Sequence, residues 1–444
     1  MDTYFPPLLI AYLEALCQAL SKPNRVYLQI FVWALLLVEG RKCVTRIAEA
    51  CFFVDRSLSS FERFLSEYHW DLNEVIASLV QFLLNKLGDK LKIYGAYLLV
   101  LDTILIAKAS KKMAGVQRWK EHSSNPDRGG YQIAHHWAVI ALVSHFYKRY
   151  ISWPILCRLI SGKKNPCEYV ATEKGIRPAN IWDTAIALIL QSASLLGGIP
   201  IQDGPAIRAV LDAYFSKAPF LNPMIKRGIG IISRLRSDAV GWEDPVYSGK
   251  GRRPKHGKKW KLANLLSECV PKPVEVQTYG KAGTALCVVR DLWIRDVCRK
   301  VRIVVVEGLK NPILFVSTDL SLSAKAIIEI YSARFSIEIA FRDLKQHFGF
   351  GDYQTTSTTG IFRFVHLCCI SFCLWRLMAM PENISRWFME TSMRVVNEST
   401  LSFARVRRAL RCFVLSKILF RKSAPEADFE KSEVEIEHLL RIAA

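Results

Sequence analysis

The sequence predicts a mixed α/β fold with a helical region at each end. Three observations carry that reading. Residues 6–90 keep a helical spacing of apolar positions with no β alternation. From Ile93 onward, apolar β-branched runs alternate with helical segments. Near residue 331, a late helical stretch sets one acid among two cations and a phenol. A chain of 444 residues that is 51% hydrophobic and 11% aromatic can bury a large core, in about two to four domains, which excludes a disordered protein.

In order, the helical segments of the first part are 6–20, 25–38, 44–53, 57–66 and 71–87, and they predict an all-helical domain over 1–90. Thr45–Cys51, a break at Val54–Arg56, and Ser57–Leu65 have the layout of a helix-turn-helix with Ser57 as N-cap, so this domain is the expected DNA reader. Tyr94–Ala107 is mostly apolar with Asp102 inside it and reads as the first strand, followed by strands at His136–Val143 and Tyr150–Leu156. A helix over 182–196, a strand Ile207–Leu211 ending in Asp212, a helix over 217–227 and a fifth strand from Gly230 come next. Three strands, then helix, strand, helix, strand, is the order of a ribonuclease-H-like catalytic core with a five-stranded mixed sheet, expected over 91–240. Residues 241–309 are rich in Gly, Pro and cations and carry alternating strands at Val274–Thr278, Ala285–Trp293 and Lys300–Val306, so they read as a β-rich insertion. The core resumes over 310–380 with a strand at Pro312–Thr318, a helix over 324–348 and an apolar helix over 360–379. Residues 381–444 read as a basic helical region with Arg405, Arg407, Arg408 and Arg411, then a peripheral acidic tail.

Lys and Arg number 61 against 40 Asp and Glu, a net charge of +21, which favours a polyanionic partner, double-stranded DNA first, over an acidic small molecule. The densest cations lie in the loop Lys250–Trp260, where Arg252, Arg253, Lys255, Lys258 and Lys259 join Lys250 in a pattern suited to a phosphate backbone. A solvated surface loop is the plain alternative. The twelve cysteines form no C-x2-C pair, and Cys368, Cys369 and Cys373 lack a second ligand pair, so they read as reduced, buried thiols. Residues 1–20 lack a basic-then-apolar leader, and His366 and Arg376 interrupt the longest apolar run, Phe364–Met380. The expectation is a cytoplasmic, nucleoid-associated protein with no membrane partner.

The stretch Tyr331–Lys345 holds Tyr331, Arg334, Glu338 and Lys345 at Y-x2-R-x3-E-x6-K spacing. On one continuous helix these four fall within about 60° of arc, while Ile337, Ala340, Phe341, Leu344 and Phe348 form a separate apolar face. An i,i+4 Arg334–Glu338 pair on a solvated face is the plain reading. Two upstream acids argue for more. Asp102 lies between apolar Leu98–Leu101 and Ile104–Ile106, where a carboxylate is poorly solvated unless it has a partner. Asp212 closes the fourth strand; Asp238, after the fifth, is the competing second acid, and Asp319 reads as a cap for the following helix. Carboxylates brought together from separate elements repel unless a cation lies among them, and phosphodiester chemistry uses two Mg²⁺ (or Mn²⁺) ions on oxygen ligands.

Leu101-Asp102-Thr103, His136-Trp137, the run from Val210 to Phe215 through Asp212, Arg234-Leu-Arg236, the loop Gly251–Lys255, Ser317–Leu320 and the Tyr331–Lys345 signature together resemble the DDE transposases of bacterial insertion sequences, in the branch with the YREK signature. The resemblance covers most of the chain and implies that Asp102, Asp212 and Glu338 are catalytic and ligate the two ions. It also implies that Tyr331, Arg334 and Lys345, with Arg342 beside them, hold phosphates of the transposon end. It further implies cleavage at terminal inverted repeats, strand transfer into target DNA without a covalent protein intermediate, and a homodimeric synaptic complex. Some members stack a flipped base on an aromatic of the β insertion; Trp293 and Trp260 are the candidates here, neither at a matching spacing. Two further readings stand beside this one: a ribonuclease-H-like nuclease without strand transfer, and a catalytically inactive DNA-binding relative.

Overall fold

The computed structural model describes residues 5–51, 54–110, 112–120, 130–146, 148–160, 162, 165–172, 175–197, 205–247, 249, 254–383 and 402–422. Helices α1 (Pro7–Leu16), α2 (Lys22–Leu37), α3 (Val44–Ala50), α4 (Leu58–Ser66) and α5 (Leu72–Leu87) come first. Strands β1 (Lys92–Ile93), β2 (Ala96–Ala107), β3 (Gln117–Lys120), β4 (Tyr131–Phe146), β5 (Arg149–Leu159), β6 (Tyr169–Thr172) and β7 (Gly175–Pro178) follow, then α6 (Ile181–Leu195), β8 (Ile207–Val210), α7 (Ala218–Lys226) and β9 (Gly230–Arg234). Next come β10 (Val240–Trp242), β11 (Lys259–Lys261), α8 (Leu265–Glu268), β12 (Lys272–Thr278), β13 (Lys281–Leu292), β14 (Val301–Val306) and β15 (Ile313–Ser317). Helices α9 (Ala324–Ser332), α10 (Phe335–His347), α11 (Thr358–Met378) and α12 (Phe403–Lys422) complete the described elements. The chain divides into one unit of Met1–Leu83, Ile106–His135 and Ala340–Ala444, and another of Leu84–Leu105 and His136–Ile339.

In the first unit the core gathers around α11. By length and apolarity alone this helix could cross a membrane, but it is enclosed by protein, with α1, α2, α4 and α12 packed against it. Its apolar surface is therefore removed from water by other side chains, at about 25 cal/mol per Å². Phe31 to Leu36 of α2 are fully buried, and Tyr27 and Phe64 stack at 5.3 Å, with Trp70 5.0 Å from Phe64. Buried Arg363 donates to the carbonyls of Phe64, Leu65 and Trp70 and lies 4.2 Å over the Trp70 ring, so the cation satisfies carbonyls freed at the end of α4. Ser57 precedes α4 as expected, but its hydroxyl pairs with those of Ser59 and Ser60 rather than capping an amide.

The loop after α10 is tied down by cations of the same unit. Lys108 Nζ donates to the carbonyls of Gly351 (2.7 Å) and Tyr353 (3.0 Å), and the Lys42 amide donates to Asp352 Oδ2. Burial pushes the Lys108 ammonium down to about 7. Gly349 at φ +69° turns the chain here, where a Cβ would meet Lys42 Cβ at 2.7 Å.

The second unit is built on a sheet in the order β12-β13-β14-β15-β9-β8-β2-β4, with β5 added on β4 and β1 on β2. Pairs β2·β8 and β8·β9 are parallel; β4·β5 and every pair from β12 to β9 are antiparallel. The sheet is wider than the five strands expected. Strands β12 to β14, expected as an inserted β region, continue the same ladder through β15, because Val301 and Ile303–Val306 are buried as a central strand demands. Helix α6 packs on β5, α7 on β9, and α9 on β9, β12 and β15. Asn180 and Asp183 form a reciprocal capping box that starts α6. Asp319 does not cap α9: Ser323 does, while Asp319 forms a buried ion pair with Arg208 at 2.8 Å. Cys298 and Cys412 are exposed, contrary to the expectation of uniformly buried thiols.

Candidate active site

Strand register places the first two acids. Val100 of β2 and Val210 of β8 are partners in a parallel pair, and two residues beyond each stands an aspartate, Asp102 and Asp212. A step of two keeps the side chain on the same face, so Asp102, in the middle of β2, and Asp212, just past the carboxyl end of β8, share one face where the parallel pairing of the two strands ends. Asp102 Oδ1 accepts the Thr103 amide at 2.8 Å; Asp212 Oδ1 accepts the Tyr214 amide at 3.1 Å as the cap of a short 3₁₀ turn, Ala213–Phe215. On the next parallel strand Ile232 pairs with Val210, which makes Arg234 the matching position there. Asp238, the competing acid, is exposed in a turn four residues farther on.

The expected helix over 324–348 is two helices, broken at Ala333 and Arg334. Amides of Ala333, Arg334, Ser336 and Ile337 bond three residues back, and the Ser332 and Ser336 hydroxyls donate to the carbonyls of Glu329 and Ala333. Serine back-bonding competes with the amide ladder and tightens the turn, so the four signature residues do not share one α-helical face. Tyr331 is in the last turn of α9, Arg334 stands in the break, Glu338 is in the first turn of α10, and Lys345 is exposed in its last turn.

Arg334 then joins the acids. Its Nη1 lies 2.7 Å from Asp102 Oδ2 and its Nη2 2.5 Å from Glu338 Oε1, and its charge pulls the Tyr331 pKa down. The Tyr331 ring is held 5.0 Å from that of Phe315 on β15. Within the second unit the structure thus brings together Asp102, Asp212, Glu338, Tyr331 and Arg334. Arg234, given no role by the sequence alone, stands on β9 at the position that matches Asp212, and its charge pulls the Tyr331 pKa down. In the sequence it stands in the Arg234-Leu-Arg236 run of the resemblance and at the end of the fifth strand, with no role attached. Arg342 is exposed in the first unit beside Asp343. Arg252 and Arg253 lie outside the described residues. Lys255, Lys258 and Lys259 are exposed, and Lys258 lies 3.7 Å over the Trp260 ring. Neither aromatic candidate is free-standing: Trp260 donates to Glu243 and Trp293 to Asp244, each at 2.9 Å.

Burial raises the Asp102 pKa from 3.8 to about 6, with Arg334 and the Thr103 amide pulling it down and Asp212 and Glu338 pushing it up. Burial also raises Asp212, opposed by the Tyr214 amide and Arg334. Tyr331 is raised by burial against the pull of Arg334 and Arg234. Desolvated, mutually repelling carboxylates with no sulfur or imidazole among them are a donor set suited to Mg²⁺ or Mn²⁺. Among the described residues, however, no three acidic, His or Cys side chains stand as a ready ion-binding group. The positive charge among the acids is Arg334.

Acids from two adjacent strands and a helix, brought onto one side of a mixed α/β sheet, are an arrangement compatible with a nuclease-type enzyme. A family model described as DDE superfamily endonuclease matches residues 15–284, more than half of the 444, and the chain belongs to that family. The matched region includes Asp102 and Asp212 and ends before Glu338. No curated protein matches the chain.

Proposed function

We propose that this endonuclease is a transposase of a bacterial insertion sequence, of the branch with the YREK signature, that cuts DNA at element ends and transfers the freed strand to target DNA. The observation that carries the reading is the juxtaposition of acids: Asp102 and Asp212 at matching positions on paired strands, and Glu338 joined to Asp102 through Arg334. The strand order β2, β4, β5, α6, β8, α7, β9 supports a ribonuclease-H-like core. Asp102, Asp212 and Glu338 would hold two divalent cations. When bound, such ions supply an activated oxygen nucleophile and neutralise charge building on phosphorus. The chain's own part is to orient the phosphate. The Arg334 fork matches two phosphate oxygens and the Tyr331 phenol can donate to one; in the other unit, exposed Lys345 and Arg342 carry charges that suit DNA phosphates. Exposed Lys255, Lys258 and Lys259 offer further charges to the phosphate backbone, and Arg252 and Arg253 of the same loop sequence carry the same charge. The protein works in the cytoplasm on the nucleoid, and two copies synapse two element ends.

The test uses an end-labelled duplex carrying the terminus found beside the coding region, with and without Mg²⁺. Wild type is expected to nick it and join it to a target, and Glu338→Ala to lose at least about 10³-fold in rate. Nicking without joining would leave only the nuclease; retention of DNA with no cleavage in any metal would leave a binding protein.

A further inference from the structure

Resting on that metal-dependent reading, we propose that Arg334 is an internal competitor for the metal ions: its guanidinium and a divalent cation claim the same oxygens of Asp102 and Glu338. One planar fork spans both acids, at 2.7 Å and 2.5 Å. Two hydrogen bonds across a guanidinium keep the bonded oxygens within about 8 Å of each other. Coordination needs lone pairs aimed at the ion; on Asp102 Oδ2 and Glu338 Oε1 they are aimed at N–H groups. While the fork holds these two oxygens, an ion meets lone pairs already taken and the guanidinium's positive charge, so it binds the acids more weakly than when the fork leaves them. Arg334 stands in the break between α9 and α10, so its side chain can swing without unwinding a helix. The ligand that best replaces two carboxylates for a guanidinium is a phosphate, which accepts the same paired bonds. A DNA phosphate that takes the fork thereby releases the acids to the ion. Metal and DNA backbone then strengthen each other's binding, and the coupling is reciprocal.

The experiment is a Mn²⁺ titration of the full chain without DNA, by calorimetry, at about pH 8.5 so that the acids are ionised. Wild type, Arg334→Gln and Glu338→Gln are compared, with circular dichroism to show that each is folded. Arg334→Gln is expected to bind Mn²⁺ about tenfold more tightly than wild type or better, and Glu338→Gln more weakly. Equal or weaker binding by Arg334→Gln would overturn the competition and leave the metal reading intact. No Mn²⁺ bound by any of the three would overturn both. Should Arg334→Gln not fold, Arg334→Lys, a point charge without the fork, is expected to bind more tightly than wild type; the same affinity would overturn the proposal.

Discussion

Asp102 is a carboxylate held where its charge is disfavoured, and that has a sign. Its pKa is raised from 3.8 unfolded to about 6 folded, so the fold prefers the protonated form. The stability this contributes is fully present below the unfolded value and is lost as pH rises through the folded one. In chelator, the unfolding free energy of wild type is therefore expected to fall by about 2 kcal/mol from this source between pH 4 and 7. Asp102→Asn keeps an oxygen for Arg334 and removes the titration, so its urea-denaturation stability should show less of that fall. Parallel pH curves for the two proteins would refute the assignment. Arg234 invites a different test, because it occupies on β9 the place that Asp212 occupies beside β8 and bears on Tyr331. Arg234→Ala should weaken DNA binding about tenfold, the scale of one charged phosphate contact, seen as a higher KM with kcat little changed.

At the scale of elements, the site depends on a register. Asp102 and Asp212 meet because Val100 pairs with Val210 and each acid follows by two. The paired exchange Asp102→Thr with Thr103→Asp preserves composition but turns the carboxylate to the opposite face of β2. Cleavage should fall to that of Glu338→Ala while thermal unfolding shifts by only a few degrees; retained cleavage would show that register does not place the acid. A second device is Glu329, on α9 two residues before Tyr331 and 8% exposed. It accepts hydrogen bonds from the Tyr94 phenol and, at 2.7 Å, from the Gln277 amide, so it ties the β12–β13 hairpin to the helix that carries Tyr331. Glu329→Ala leaves both donors unpaired and should cost about 2–4 kcal/mol, with faster hydrogen exchange at Gln277. Much of this layer was legible in the sequence. Tyr94–Ala107, Ile207–Leu211 and Gly230 onward read as strands because apolar β-branched runs between turn residues admit little else. The break at Arg334 was not, since Ser332 and Ser336 suit a helix surface and act against the helix only once their hydroxyls find carbonyls. The pairing of β14 with β15 was equally hidden: a strand's pattern shows which faces are buried, and not which strand lies beside it.

For the whole molecule, the governing quantity is charge. An excess of 21 cations over anions cannot be neutralised by the ion pairs inside the structure, of which several, such as Arg208–Asp319 and Arg411–Glu39, already join a cation to an acid and leave the excess unchanged. The surplus must be balanced by counterions or by a polyanion. If DNA is that polyanion, each phosphate neutralised releases condensed counterions, and the logarithm of the binding constant falls with the logarithm of salt by about 0.9 per contact. Exposed Lys255, Lys258, Lys259, Arg342 and Lys345 alone supply enough contacts for a slope near −4. Fluorescence anisotropy on a labelled duplex, between about 50 and 200 mM salt, should then lose at least about 10²-fold in affinity. Reversing Lys255, Lys258 and Lys259 to Gln together should flatten the slope by about 2 to 3 without abolishing binding, because phosphate contacts act nearly independently. An unchanged slope in that variant would place the DNA on another face of the protein.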